Sequence, residues 1–136
     1  MPHSLQRTPL VLVVDYDEGL RRMIAQALTT EYRVVTAANA DDGFVQAIAL
    51  HPDLVVSDIQ MPGFSGTDLL RRVRKQPELT AIPFLMLTDG TGDPLRGQVK
   101  TDETTSHLTK PFSVSELRAR VAIYINLQRS PRRAAA

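Results

Sequence analysis

Short apolar runs punctuate the chain at regular intervals. Leu10-Val11-Leu12-Val13-Val14, Arg33-Val34-Val35-Thr36-Ala37, Leu54-Val55-Val56-Ser57 and Phe84-Leu85-Met86-Leu87 are each continuous stretches of β-forming side chains. Runs of this length without polar alternation fit strands buried on both faces, as in a parallel sheet. A weaker fifth run is His107-Leu108-Thr109. Between the runs the period changes to that of a helix. Leu20, Met23, Ile24, Ala27 and Leu28 form one apolar stripe, with Arg21, Arg22 and Gln26 off it. Asp41 to Leu50 places Phe44, Ala47 and Ile48 on one face, and Thr67 to Lys75 does the same for Leu69, Leu70 and Val73. The last helix has the clearest start: Ser113-Val114-Ser115-Glu116 is a capping box, followed by Leu117, Val121, Tyr124 and Ile125.

Strands alternating with helices predict parallel βαβ units and an α/β fold covered on both faces. One step of the alternation is weak. Gly90 to Ser106 carries Gly90, Gly92, Pro94 and Gly97 in its first half, and Leu95 and Val99 are its large apolar residues. Each Gly costs about 1 kcal/mol and Pro about 3 kcal/mol in a helix interior. A short, irregular or mobile element is expected there.

The chain has 136 residues, 16 Lys plus Arg against 15 Asp plus Glu, and no Cys. That size suits one domain, expected over 10–127, with 1–9 and 128–136 as disordered flanks. It leaves no room for an output domain, so output is expected in another molecule or in sequence beyond this chain. Absence of Cys removes disulfides, a thiol nucleophile and Cys-ligated zinc. A formal charge of +1 argues against direct DNA binding. No stretch reaches the roughly 20 apolar residues of a membrane helix, and Met1 to Pro9 lacks a signal-peptide core, so a cytoplasmic location is expected.

Open parallel sheets bind ligands beyond the carboxyl ends of their strands. The first run ends in Asp15-Tyr16-Asp17-Glu18, the third in Asp58, the fourth in Thr88-Asp89, and the fifth in Lys110-Pro111. Carboxylates, a hydroxyl and an ammonium therefore meet on one edge. This set suits phosphoryl chemistry. Carboxylates hold a hard cation such as Mg²⁺, the cation and the ammonium neutralise phosphoryl charge, and Asp58 can act as a nucleophile carrying an acyl phosphate.

At this point Val13-Val14-Asp15, then Asp58-Ile59-Gln60-Met61-Pro62-Gly63-Phe64-Ser65-Gly66, then Leu87-Thr88, then Lys110-Pro111-Phe112 resemble the receiver domain of two-component response regulators. The resemblance covers Leu10 to about Leu127. It implies a flavodoxin-like fold: a five-stranded parallel sheet of order 2-1-3-4-5 with five helices. It implies that Asp58 takes a phosphoryl group from a histidine kinase or a phosphotransfer protein. Asp15, Asp58 and Gln60 would hold Mg²⁺, Thr88 and His107 would be the switch residues, and Lys110 would bind the phosphoryl group before a cis proline. A downstream protein partner, with a homodimer as an option, would read the change.

The chain departs from that pattern in places. The second acid that normally follows the first strand is Tyr16, a phenol that is neutral at pH 7 and a poor ligand for a hard metal. Asp89 follows the switch threonine where a small residue is usual. His107 stands where the switch aromatic is expected, and a histidine there is pH-sensitive. The weak Gly90 to Ser106 segment would alter the usual output surface. Three functions stay in competition. The first is a phospho-accepting receiver that catalyses only its own phosphorylation. The second is a pseudo-receiver that binds partners without phosphate. The third is a phosphatase resembling the haloacid dehalogenases, with Asp15 as nucleophile and Asp17 as acid–base. That last reading lacks the acidic pair required after the lysine, since only Glu116 follows, and it leaves the Asp58 motif unexplained.

Overall fold

The computed structural model of the chain describes residues 7–89 and 104–128. The strands are β1 (Leu10–Val14), β2 (Arg33–Ala37), β3 (Leu54–Asp58), β4 (Phe84–Thr88) and β5 (Thr105–Thr109). The helices are α1 (Glu18–Thr29), α2 (Ala40–Leu50), α3 (Gly66–Arg74) and α4 (Val114–Gln128), with a 3-10 turn at Pro77–Leu79. The strands form one parallel sheet in the order β2-β1-β3-β4-β5. The flavodoxin-like topology is therefore as expected. The weak stretch of Gly90 to Ser106 falls, over 90–103, outside the described residues.

Successive side chains of a strand point to opposite faces. Leu12, Val14, Val55, Phe84 and Met86 pack under α2 and α3 with Ala40, Ala47, Leu69 and Val73. Their neighbours Val11, Val13, Leu54, Val56, Leu85 and Leu87 pack under α1 and α4 with Ile24, Leu28, Leu117, Val121 and Ile125. This two-sided burial explains why β1, β3 and β4 read as unbroken apolar runs; every residue in them is buried. The same expectation fails for β2, where only Ala37 is buried, because β2 is an edge strand. β5 begins two residues earlier than its apolar run, since Thr105 and Ser106 pair with Phe84 and Leu85. They join by backbone register rather than hydrophobicity.

Helix α2 also differs from its sequence reading. Ala40, Gly43 and Ala47 form its buried face, Phe44 is only partly buried, and Ile48 is exposed. The helix lies too close to the sheet for larger groups. A Cβ on Gly43 would sit 3.0 Å from Val14 and 3.3 Å from Leu69. Caps fix where the helices begin. Asp17, Asn39 and Ser65 accept the amide hydrogens of Leu20, Asp42 and Asp68. Ser113 and Glu116 form the expected reciprocal box at 3.0 Å in both directions.

Candidate functional site

The sheet order places the ends of β1, β3, β4 and β5 along one edge. β1 delivers Asp15, whose amide donates to the Ala37 carbonyl at 3.1 Å. β3 ends in Asp58 opposite Leu87, so Thr88 lies one step further along β4. Lys110 follows β5, and its amide donates to the Thr88 carbonyl at 2.6 Å. The residues read from sequence as one site are thus held by the ladder itself. Lys110 Nζ lies 3.2 Å from Asp58 Oδ1. Asp58 and Thr88 are buried at 9% and 8% exposure, and Asp15 at 0%. The Lys110–Pro111 peptide is cis.

Asp15 is the most unusual group. Its Oδ1 accepts the Asp17 amide at 2.9 Å, while its Oδ2 has no hydrogen-bond partner among the described residues. Burial pushes its carboxyl above the ordinary carboxylate range. The Asp17 amide opposes the rise, nearby Asp58 adds to it, and Lys110 partly offsets it. A buried carboxylate oxygen with no donor is where a cation fits. Among the described residues no three His, Asp or Glu side chains cluster to hold a metal; Asp15 and Asp58 are the buried carboxylates of this edge, and Gln60 is exposed. Asp17 is not turned to this set: it caps α1.

Three further residues support the site, and two of them, Arg21 and Ser57, were not singled out by sequence. Arg21 Nη1 donates to the Asp15 carbonyl at 2.8 Å. Ser57 Oγ donates to the Asp58 carbonyl at 3.0 Å. Gly66 starts α3 so close to β3 that a Cβ there would collide with the Asp58 carbonyl oxygen. Gly66 was visible in sequence as the last residue of the motif that begins at Asp58, but its contact with the strand was not. Of the departures, Tyr16 is 62% exposed. Asp89 is exposed. His107 is half-buried, and its carbonyl accepts from Arg120 Nη1 at 2.6 Å.

A family model for the response regulator receiver domain matches residues 11–122. The chain belongs to the receiver domain family of two-component signalling. Hybrid signal transduction histidine kinase D of Dictyostelium discoideum is 33% identical over 127 residues, which is 93% of this chain and 8% of the kinase. The chain spans about half or less of the curated relatives it matches. Among solved structures, Vibrio cholerae chemotaxis protein CheY4 superposes with a TM-score of 0.80 at 29% identity, covering 87% of this chain and 99% of that one. The receiver domain of sensor histidine kinase PA1611 from Pseudomonas aeruginosa PAO1, described with a magnesium ion coordinated in its active site cleft, shares the fold. Its TM-score is 0.79 at 22% identity, covering 88% of this receiver and 99% of that chain. The receiver domain family is a signalling family rather than one of turnover enzymes. Among the described residues no helix of this receiver is long and apolar enough to cross a membrane.

Proposed function

We propose that this receiver accepts a phosphoryl group on Asp58 from a phosphohistidine of a histidine kinase or phosphotransfer protein. A carboxylate oxygen of Asp58 forms the new O–P bond as the N–P bond breaks, and the imidazole leaves with the electron pair and takes a proton. The product is an acyl phosphate on the chain. The observation that carries this reading is the Lys110 Nζ–Asp58 Oδ1 pair at 3.2 Å beside the unpartnered Asp15 Oδ2. Lys110 pairs with Asp58 and is in place to follow the incoming phosphoryl oxygens. Thr88, at the end of the neighbouring strand, supplies a hydroxyl on the same edge. Its movement together with His107 is the proposed switch toward a downstream protein partner or a second copy. The domain is taken as 10–127 with a cytoplasmic location.

Asp15, Asp58 and Gln60 would hold Mg²⁺, the ion with which the PA1611 receiver is described. When bound, Mg²⁺ would neutralise phosphoryl charge during transfer. Tyr16 leaves one carboxylate fewer for it. That substitution, with Asp89 beyond Thr88, favours a second reading as a pseudo-receiver that signals without phosphate.

Incubation of the intact chain with acetyl phosphate and Mg²⁺, followed by intact mass measurement, separates the two. The expected result is one added phosphoryl group, lost in Asp58→Asn and on chelation of Mg²⁺. No labelling of a folded chain at any Mg²⁺ concentration selects the pseudo-receiver.

A further inference from the structure

Asp15 lies just past the end of β1, where the sheet stops holding the chain. The register of β1 with β2 ends at Val14 opposite Ala37, and that with β3 at Val14 opposite Ser57. The Asp15 amide still reaches the Ala37 carbonyl at 3.1 Å. Its own carbonyl has no strand left to donate to it, because β2 stops at Ala37 and the chain turns into the Asn39 cap of α2. Asp15 is buried, so that carbonyl needs another donor. Arg21 on α1 supplies it: Nη1 reaches back to the Asp15 carbonyl at 2.8 Å. The Arg21 amide also donates to the Asp17 carbonyl at 2.9 Å, so one residue grips both ends of the Asp15–Asp17 turn. Asp58 repeats the arrangement. The ladder to β1 has ended beside it, and the Ser57 hydroxyl takes its carbonyl.

The acceptor that Arg21 takes is informative. A guanidinium is always charged, and its fork of donors matches a carboxylate. Arg21 nevertheless bonds the main chain of Asp15 and leaves Oδ2 without a hydrogen-bond partner among the described residues. Asp15 is thereby tied at its amide, its carbonyl and Oδ1, which accepts the Asp17 amide at 2.9 Å. Its remaining polar atom stays open. A salt bridge between the two side chains would have filled the cation position with the arginine itself.

We propose that Arg21 is a positioning residue of the cation site: it holds Asp15 by its carbonyl and leaves the Oδ2 oxygen open to Mg²⁺. This rests on the reading of Asp15 as a Mg²⁺ ligand given above. The turn is ordered before the cation arrives, so binding loses less freedom. Groups that orient a metal ligand from behind are worth roughly 10- to 100-fold in metal affinity. The charge of Arg21 acts the other way, since two cations repel. A positioning role and a purely electrostatic one therefore differ in sign.

The test is a titration of the ¹⁵N-labelled full chain with MgCl₂, read from the amide shifts of Asp15, Tyr16 and Asp17, with melting in chelator alongside. Arg21→Met keeps the apolar stem and loses every donor; it is expected to weaken Mg²⁺ binding about tenfold. Arg21→Lys keeps the charge and a donor, and is expected to lose less than Arg21→Met does. Tighter binding in Arg21→Met would show that only the charge is felt, and overturns the inference. Unchanged affinity with a lower melting temperature reduces Arg21 to a structural contact and overturns it as well. Equal losses in the two variants overturn the hydrogen bond as the cause. Should Arg21→Met not fold, the parent decides. Its Arg21 Nη protons are expected to exchange with solvent more slowly than those of the exposed Arg22, and equal exchange overturns the hold on Asp15. A parent that binds no Mg²⁺ overturns the cation reading and this inference together; with Mg²⁺ bound and Arg21 indifferent, this inference falls and the cation reading stands.

Discussion

Asp15 shows how a site residue can weaken the fold that carries it. It is fully buried, with one carboxylate oxygen unpaired. Its folded pKa lies above the ordinary value of 3.8, chiefly because burial disfavours the charge. The native state therefore holds this proton more tightly than the unfolded chain does. Its stabilising contribution is full below the unfolded pKa and is lost as pH rises through the folded one. Asparagine keeps an acceptor for the Asp17 amide and carries no charge. Asp15→Asn is expected to stabilise the metal-free chain by about 1–2 kcal/mol at pH 7, the scale of a buried unsatisfied polar group. Melting in chelator across a pH series checks this: the gain should shrink toward zero below about pH 4. Gly66 sits at the other extreme, where a single methyl group is excluded. Its Cβ would meet the Asp58 carbonyl, so Gly66→Ala must displace either α3 or the phosphoacceptor strand. A loss of about 3 kcal/mol in urea unfolding is expected, at the upper end of overpacking effects. A loss within 0.5 kcal/mol, the range of ordinary surface substitutions, would show that the α3 start yields easily.

Helix starts link the elements to the site, because α3 begins directly behind Asp58. Its capping box joins Ser65 and Asp68 at 2.9 and 3.1 Å. Ser65→Ala is expected to cost about 1 kcal/mol, read as a lower urea midpoint with an unchanged slope. This box is spelled Ser-Gly-Thr-Asp, and an Asp in place of Glu hid it from a search for S-x-x-E, whereas Ser113 to Glu116 was plain. The buried strands β1, β3 and β4 were legible because two-sided burial imposes a continuous apolar run. β5 was legible only in part, since Thr105 and Ser106 are placed by pairing to β4 and leave no hydrophobic trace. On α2 the reading failed for a packing reason. A glycine at 43 looks like a weak helix position, and only the 3.0 Å approach to Val14 shows it to be the contact face. The carboxylates, the hydroxyl and the lysine of the site were readable because each sits at a strand end. Arg21 and Ser57 were not, because they act through backbone carbonyls, and no sequence motif records a backbone contact.

At the scale of the whole molecule, four non-consecutive chain segments form one site only because the strands order as β2-β1-β3-β4-β5. The unfolded chain has no such site, so a cation bound at this edge stabilises the entire fold by mass action. The stabilisation measures the affinity, and this makes the Tyr16 departure testable without any phosphodonor. Cation affinity in oxygen sites follows the number of charged ligands. The edge now offers Asp15 and Asp58, while the ring at 16 is 62% exposed and outside the pair. Tyr16→Asp returns a carboxylate to the loop that already positions Asp15 through the Asp17 amide. It is expected to tighten Mg²⁺ binding at least tenfold. At saturating Mg²⁺ this adds about 1.4 kcal/mol of stability over the parent, whereas in chelator the extra like charge beside Asp15 should lower the melting temperature. The sign of the effect thus reverses with the metal, which a merely structural role for Tyr16 would not produce. Mg²⁺ affinity and melting shifts unchanged by Tyr16→Asp would mean that Asp15 and Asp58 set the cation site alone. The tyrosine would then matter to this receiver only through the surface it presents.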